Sequence, residues 1–377
     1  MFNVPTGLRR SALLVKQPSY DFYSSFSIWP KGIRSDLRTA IKAQNQGNLK
    51  LSEQYLRRYA LLLPLPSFSD IAHATSAWEI SLQTPKEELS PDPWLKISGI
   101  ACKLGEVLES ADKPNDAYKI YLECAQLLRT LADQNQLSVA ERHRAVAIAL
   151  HIGNVANQLH KSHDEEEWLS WSVEQFQAIS KSSSEYYPSD GLQFQNKNAY
   201  AEELLLPAWA AQDGFESALE ALGSFYAKQG QTQYAIGLYL TAISHILPPN
   251  SPEQRKKVAP KQRCRAAQLM TNIANVLIQD NPSLERLDQA KEWTTKGLEI
   301  TEGARQDDQN ELECEHVLAA SLYNLGAILE MQDQNEKAKE QFKRALNQSR
   351  AIKFGEGIDN AEDALARLSL KKTGTKK

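Results

Sequence analysis

Ala320-Ser321-Leu322-Tyr323-Asn324-Leu325-Gly326-Ala327, with Ala338, Phe342 and Ala345 behind it, decides the fold of this chain. Leu325, Gly326, Ala338, Phe342 and Ala345 fall at positions 7, 8, 20, 24 and 27 of a 34-residue helix–turn–helix repeat. The spacing has a steric reason. A small residue at position 8 lets the first helix lie against the second, and small residues at 20 and 27 return the contact. Bulky residues at 4, 7, 11 and 24 fill the space between the crossings. One such hairpin cannot bury its apolar faces alone, so further copies are required.

They are present. Leu222, Gly223, Tyr226, Ala235, Tyr239 and Ala242 repeat the offsets, as do Leu104, Gly105, Leu108, Ala117, Tyr121 and Cys124. A fourth copy opens with Met270, Ile273, Ala274 and Leu277, then runs four residues long before Ala290, Thr294 and Gly297. A fifth has a good first helix in Ala149, Ile152, Gly153 and Ala156, but its second, around Trp168 and Trp171, lacks the small residues. A sixth is indicated by Leu37, Ala40, Ser52 and Leu56. This is the tetratricopeptide (TPR) pattern. The expected fold is an all-α, irregular TPR-like α-solenoid of about five to six helical hairpins, with strong repeats near 98–131, 216–249 and 319–352. The position-8 residues Gly105, Gly153, Gly223, Ala274 and Gly326 stand 48, 70, 51 and 52 residues apart, so helices or connections are lengthened.

The flanks are read in the same way. Residues 1–30 form an irregular lead-in ending at Trp29-Pro30, and the solenoid covers 31–370. Residues 182–191 (Ser182 to Gly191) and Pro248 to Pro252 are loops. Gly355 and Gly357 break the chain before a capping helix carrying Ala361, Leu365 and Leu368, since a solenoid must close its last apolar face. Residues 371–377 are expected to be a disordered tail.

Composition narrows the partners. The 377 residues are 42% apolar and carry a net charge of -4, with a pI near 6.1, which argues against nucleic acid. No run of 18 apolar residues exists, so no segment of the chain spans a bilayer. Cys102, Cys124, Cys264 and Cys314 form no Cys-x-x-Cys pair; they read as small helix residues in a reduced setting, with no disulfide expected. Arg9, Arg10 and Lys16 precede the first acid, Asp21, a pattern that suits a mitochondrial presequence. His160 and His163, beside Asp164 and three glutamates, read as a solvated acidic turn, and His143 and His151 as groove-facing or solvent-facing side chains and not a ligand pair. No nucleotide loop, nucleophile elbow or metal motif occurs. The chain is expected to be no enzyme, with no catalytic residue, cofactor or metal.

Protein binding remains. Positions 2, 5, 9 and 12 of each first helix face the concave side of such arrays. Read off in this register, the candidate peptide-binding groove residues are Asn154, Asn157, Thr271, Asn275 and Tyr323. Amides can pair with both the N–H and the C=O of an extended ligand. A clamp for C-terminal carboxylates is disfavoured, because Thr271 and Ala320 stand where cationic groups are needed.

Several stretches together carry a resemblance over nearly the whole chain from Trp29. They are Trp29 to Arg34 with Leu37-Arg38, Ile97 to Ile100 with Lys103 to Glu106, Ser217 to Leu222, Leu238 to Leu240 with Pro248-Pro249, Leu269 to Ala274, and Gly355 to Gly357 before Ala361 and Leu365. The chain resembles the TPR adaptor subunit of the fungal i-AAA protease complex of the mitochondrial inner membrane. The resemblance implies a non-enzymatic adaptor on the intermembrane-space side. Its partners would be subunits of the ATP-dependent protease complex and unfolded or membrane-protein substrates. That family carries a transmembrane helix ahead of its repeats and residues before Trp29 contain none, which bears on localisation and not on fold. The alternative is a soluble TPR scaffold for assembly of a multiprotein complex, cytoplasmic if the N-terminus is not a targeting segment.

Overall fold

A computed structural model describes residues 31–57, 86, 87, 89, 92–182, 207–211, 214–247, 257–279, 282–308 and 311–374. The lead-in 1–30, residues 183–191 with Tyr186 and Tyr187, and Pro248 to Pro252 lie outside them. The described secondary structure is entirely helical and falls into two compact units, Ala12–Gly214 and Phe215–Lys377.

The described residues of the first unit form three hairpins: α1 (Lys31–Asn45) with α2 (Leu49–Arg57), α3 (Pro93–Ser110) with α4 (Pro114–Asp133), and α5 (Val139–Gln158) with α6 (Ser162–Ser182). A 3-10 turn, Ala208–Ala211, follows. The second unit pairs α7 (Phe215–Lys228) with α8 (Thr232–Ile246), α9 (Pro260–Leu277) with α10 (Leu284–Asp307), and α11 (Leu312–Met331) with α12 (Asn335–Ala351). A last helix, α13 (Gly355–Gly374), packs on α12. Within each unit the hairpins stack in chain order, the architecture of a TPR-like solenoid closed by a cap.

The repeat register explains each crossing. A Cβ built on Gly105 would lie 2.2 Å from the Tyr121 ring, on Gly153 2.6 Å from Leu169, on Gly223 2.7 Å from Tyr239, and on Gly326 2.8 Å from Phe342. In every case position 8 lies under position 24 of its own hairpin. The degenerate second helix of the fifth copy obeys the rule better than its sequence implied. Ser172 sits fully buried at position 27 and supplies the small residue thought to be absent. The sixth copy is likewise real, with Leu37, Ala40, Ser52 and Leu56 all buried.

The hairpin turns are built alike. Gly47, Asp112, His160, Gly230 and Asp333 each adopt a positive φ of 56–75° just after a first helix. The next residue's N–H then donates back five residues: Asn48 to Ala43, Lys113 to Leu108, Lys161 to Ala156, Gln231 to Tyr226 and Gln334 to Leu329, at 2.8–2.9 Å. This closes the orphan carbonyls of the helix end. Pro93, Pro114 and Pro260 open helices where a missing N–H costs nothing.

Three expectations need correction. Cys264 and Cys314 form a disulfide across 50 residues, clipping the start of α9 to the start of α11. No Cys-x-x-Cys pair was needed, because the stacking of successive first helices brings distant residues together; Cys102 and Cys124 are unbridged and buried. Gly357 does not break the chain. It lies inside α13, where a Cβ would meet Phe354 and Ser349 at 2.5 Å, while the break falls at Lys353, with φ 56°. Finally, α13 extends to Gly374, past the Lys371 where the tail was expected to begin.

Candidate functional site

The first helices α1, α3, α5, α7, α9 and α11 carry the groove positions, and within each unit polar side chains tie consecutive ones together. Gln44 Nε2 of α1 donates to Glu106 Oε2 of α3 at 3.2 Å. His151 Nε2 of α5 meets Glu109 Oε1 of α3 at 2.7 Å. Glu220 of α7 reaches three groups on α9: its Oε1 accepts from Gln268 Nε2 at 2.9 Å and Asn272 Nδ2 at 3.1 Å, and its Oε2 pairs with Arg265. Thr271 Oγ1 of α9 lies 2.9 Å from Ser321 Oγ of α11, and the Cys264–Cys314 bridge joins the same two helices. A buried carboxylate needs such partners, since burying a charge unpaired is prohibitive. Burial still pushes the Glu220 carboxyl above its ordinary value, against the opposing pull of Arg265.

The five expected groove residues are divided between the units. Asn154 and Asn157 are exposed on α5. Thr271 and Asn275 are buried on α9, at 1% and 5% exposure. Thr271 is committed to Ala267 O and Ser321 Oγ. Tyr323 is half-buried: its ring packs against Phe342 with centroids 5.3 Å apart, and it borders the cluster that α13 closes with Ala364 and Leu368. Burial raises its hydroxyl pKa, while the neighbouring Arg367 opposes the shift. The register thus marks an open face on α5 but a filled seam on α9, which packs on α8, α10 and α11.

One feature escaped the sequence reading. In the first unit, the rings of His151 and Trp209 are stacked, with centroids 3.9 Å apart and planes 3° from parallel. Tyr121 meets both edge-on, 4.9 Å from His151 and 5.5 Å from Trp209. Gly105 makes this possible, because any side chain there would displace the Tyr121 ring. Burial, reinforced by Glu109, holds the Tyr121 hydroxyl well above its usual pKa. Trp209 arrives on the 3-10 turn, between buried Pro207 and Ala210, with Ala210 N–H donating to Pro207 O at 2.9 Å. The only sequence signal was a Pro-Ala-Trp stretch in a long connection, with no periodicity to mark it.

Two further histidines find ordinary roles. His160 is the exposed turn residue between α5 and α6. His143 lies edge-on to Phe176 of the same hairpin, 5.8 Å away. Among the described residues no group of three or more His, Cys, Asp or Glu could hold a metal ion, and no helix is long and apolar enough to cross a membrane.

No protein-family model matches the chain, and no curated protein is significantly similar to it. Among solved structures it is similar to BtubC (BKLC) from P. vanneervenii, at 15% identity and a TM-score of 0.48, covering 74% of this chain and 88% of that one. It is also similar to the apo form of RapI, at 14% identity and a TM-score of 0.46, covering 91% and 72%. A third is a putative kinesin light chain with nearly identical TPR-like repeats from Podosopora anserina, at 13% identity and a TM-score of 0.40, covering 69% and 97%.

Proposed function

We propose that this chain is a non-enzymatic, TPR-like scaffold that joins partner proteins by holding segments of them on the faces of its first helices. The observation that carries the reading is the cross-tying of consecutive first helices through Gln44–Glu106, Glu109–His151, Glu220 with Arg265, Gln268 and Asn272, and Thr271–Ser321. A face fixed in this way is organised before a partner arrives, so binding costs little further ordering. The exposed amide of Asn154 offers backbone-pairing groups on that face, beside the exposed Asn157.

A narrower reading follows from the sequence resemblance: an adaptor that passes unfolded or membrane-protein substrates to the i-AAA protease, on the intermembrane-space side of the mitochondrial inner membrane. What favours it over a cytoplasmic scaffold is the Cys264–Cys314 bridge, because disulfides persist in oxidising compartments and are rare in the cytosol.

Affinity purification of the tagged full chain tests both readings. One stoichiometric partner supports the scaffold. A protease with many substoichiometric clients supports the adaptor. Recovery of no protein above an untagged control rules out both.

A further inference from the structure

Trp209 lies outside the described repeat helices, between α6, which ends at Ser182, and α7, which begins at Phe215. The short stretch Pro207 to Ala210 is seated against α5, with the indole of Trp209 against His151 of α5 and Tyr121 of α4.

We propose that the hollow lined by Glu109, Tyr121 and His151 is a receptor for a tryptophan side chain in a short polypeptide segment, and that Trp209 occupies it in cis. The proposal rests on the scaffold reading and names the chemistry of one partner. A parallel stack at 3.9 Å and 3° requires a flat ring on the incoming side, and the perpendicular Tyr121 forms a second wall. The Glu109 carboxylate, against His151 at 2.7 Å, fixes the imidazole face on which an incoming ring stacks. The ligand's neighbours are specified too: the buried Pro207 and Ala210 show that small, compact residues fit on either side. Trp209 itself stays only half-buried, and the turn that holds it is four residues long, so the seat can be exchanged without unfolding a repeat helix. An incoming tryptophan segment and the chain's own segment therefore compete for one place.

The test uses the full chain and a labelled peptide copying its own sequence from Leu204 to Asp213. Trp209→Ala should bind this peptide at least about tenfold more tightly than the wild type, by fluorescence anisotropy. Replacing the peptide's tryptophan with alanine should abolish the gain, and so should His151→Ala placed on top of Trp209→Ala. If Trp209→Ala fails to fold, the wild type decides: saturating peptide should speed amide exchange at Trp209 and Ala210. Equal binding of the tryptophan and alanine peptides, or unchanged exchange at Trp209, overturns the receptor. If partner capture by the wild type persists in that case, the scaffold reading survives; if capture is absent as well, both fail.

Discussion

Gly326 lies directly beneath the ring of Phe342: a Cβ at this glycine would stand 2.8 Å from both Cδ1 and Cε1. The same relation recurs between Gly105 and Tyr121, and between Gly223 and Tyr239. An aromatic at position 24 has room only where position 8 has no side chain. Hairpin geometry is thus set by residue pairs sixteen apart, and a residue code of this kind is readable without a structure.

Gly326→Leu should therefore destabilise the chain by on the order of 1–3 kcal/mol or more through overpacking. Gly237→Ala is the matched control: it sits within α8 with nothing inside 4 Å of its added Cβ. It should stabilise by about 0.5–1 kcal/mol, the usual helix-interior difference. Denaturant midpoints of the two variants should move in opposite directions. A shift of the same sign would contradict the assigned crossing.

Glu220 makes stability depend on pH. Its folded pKa lies above the ordinary 4.5, chiefly because it is buried. The folded state therefore takes up the proton more readily than the unfolded chain. The stability this contributes is full below the unfolded value and is lost as pH rises through the folded one. Glu220→Gln removes that dependence. Unfolding free energy of the wild type minus that of Glu220→Gln should fall as pH rises from below about 4.5. A difference that grows with pH would show that the pull of Arg265 outweighs burial.

Thiol chemistry gives a third check. Burial raises the Cys102 thiol to about 11 and holds Cys124 well above its usual value. Neither should react in the native protein, since the thiolate is the nucleophile. A thiol reagent should titrate none in the native state, two in denaturant, and four after reduction in denaturant. Cys264→Ser should also lower stability, by up to about 4 kcal/mol for a loop of this length. Four thiols without reductant would exclude the Cys264–Cys314 bridge.

The sequence made the helix crossings legible because the residues that determine them are near neighbours in one hairpin. Gly153 with Leu169 could be placed even in a worn copy. The ties between hairpins follow no fixed local code. Glu109 and His151 meet across 42 residues, and Glu220 meets Gln268 across 48. A signal was available for the bridge: the 50-residue separation of Cys264 and Cys314 nearly equals the 52-residue step from Ala274 to Gly326. The groove rule picks out Asn154, which is exposed, and Thr271, which is buried. It describes which way a position points, but not whether the next first helix already fills that space. Trp209 belongs to no repeat and so left no periodic trace.

Hydrogen exchange of the full chain, with and without its captured partner, tests the central claim most directly. The scaffold reading predicts added protection in the first helices, above all α3 and α5 around Glu109, His151 and Asn154. Second helices such as α4, α6 and α10 should change little. Protection confined to those second helices, or none anywhere in a complex that demonstrably forms, would contradict it.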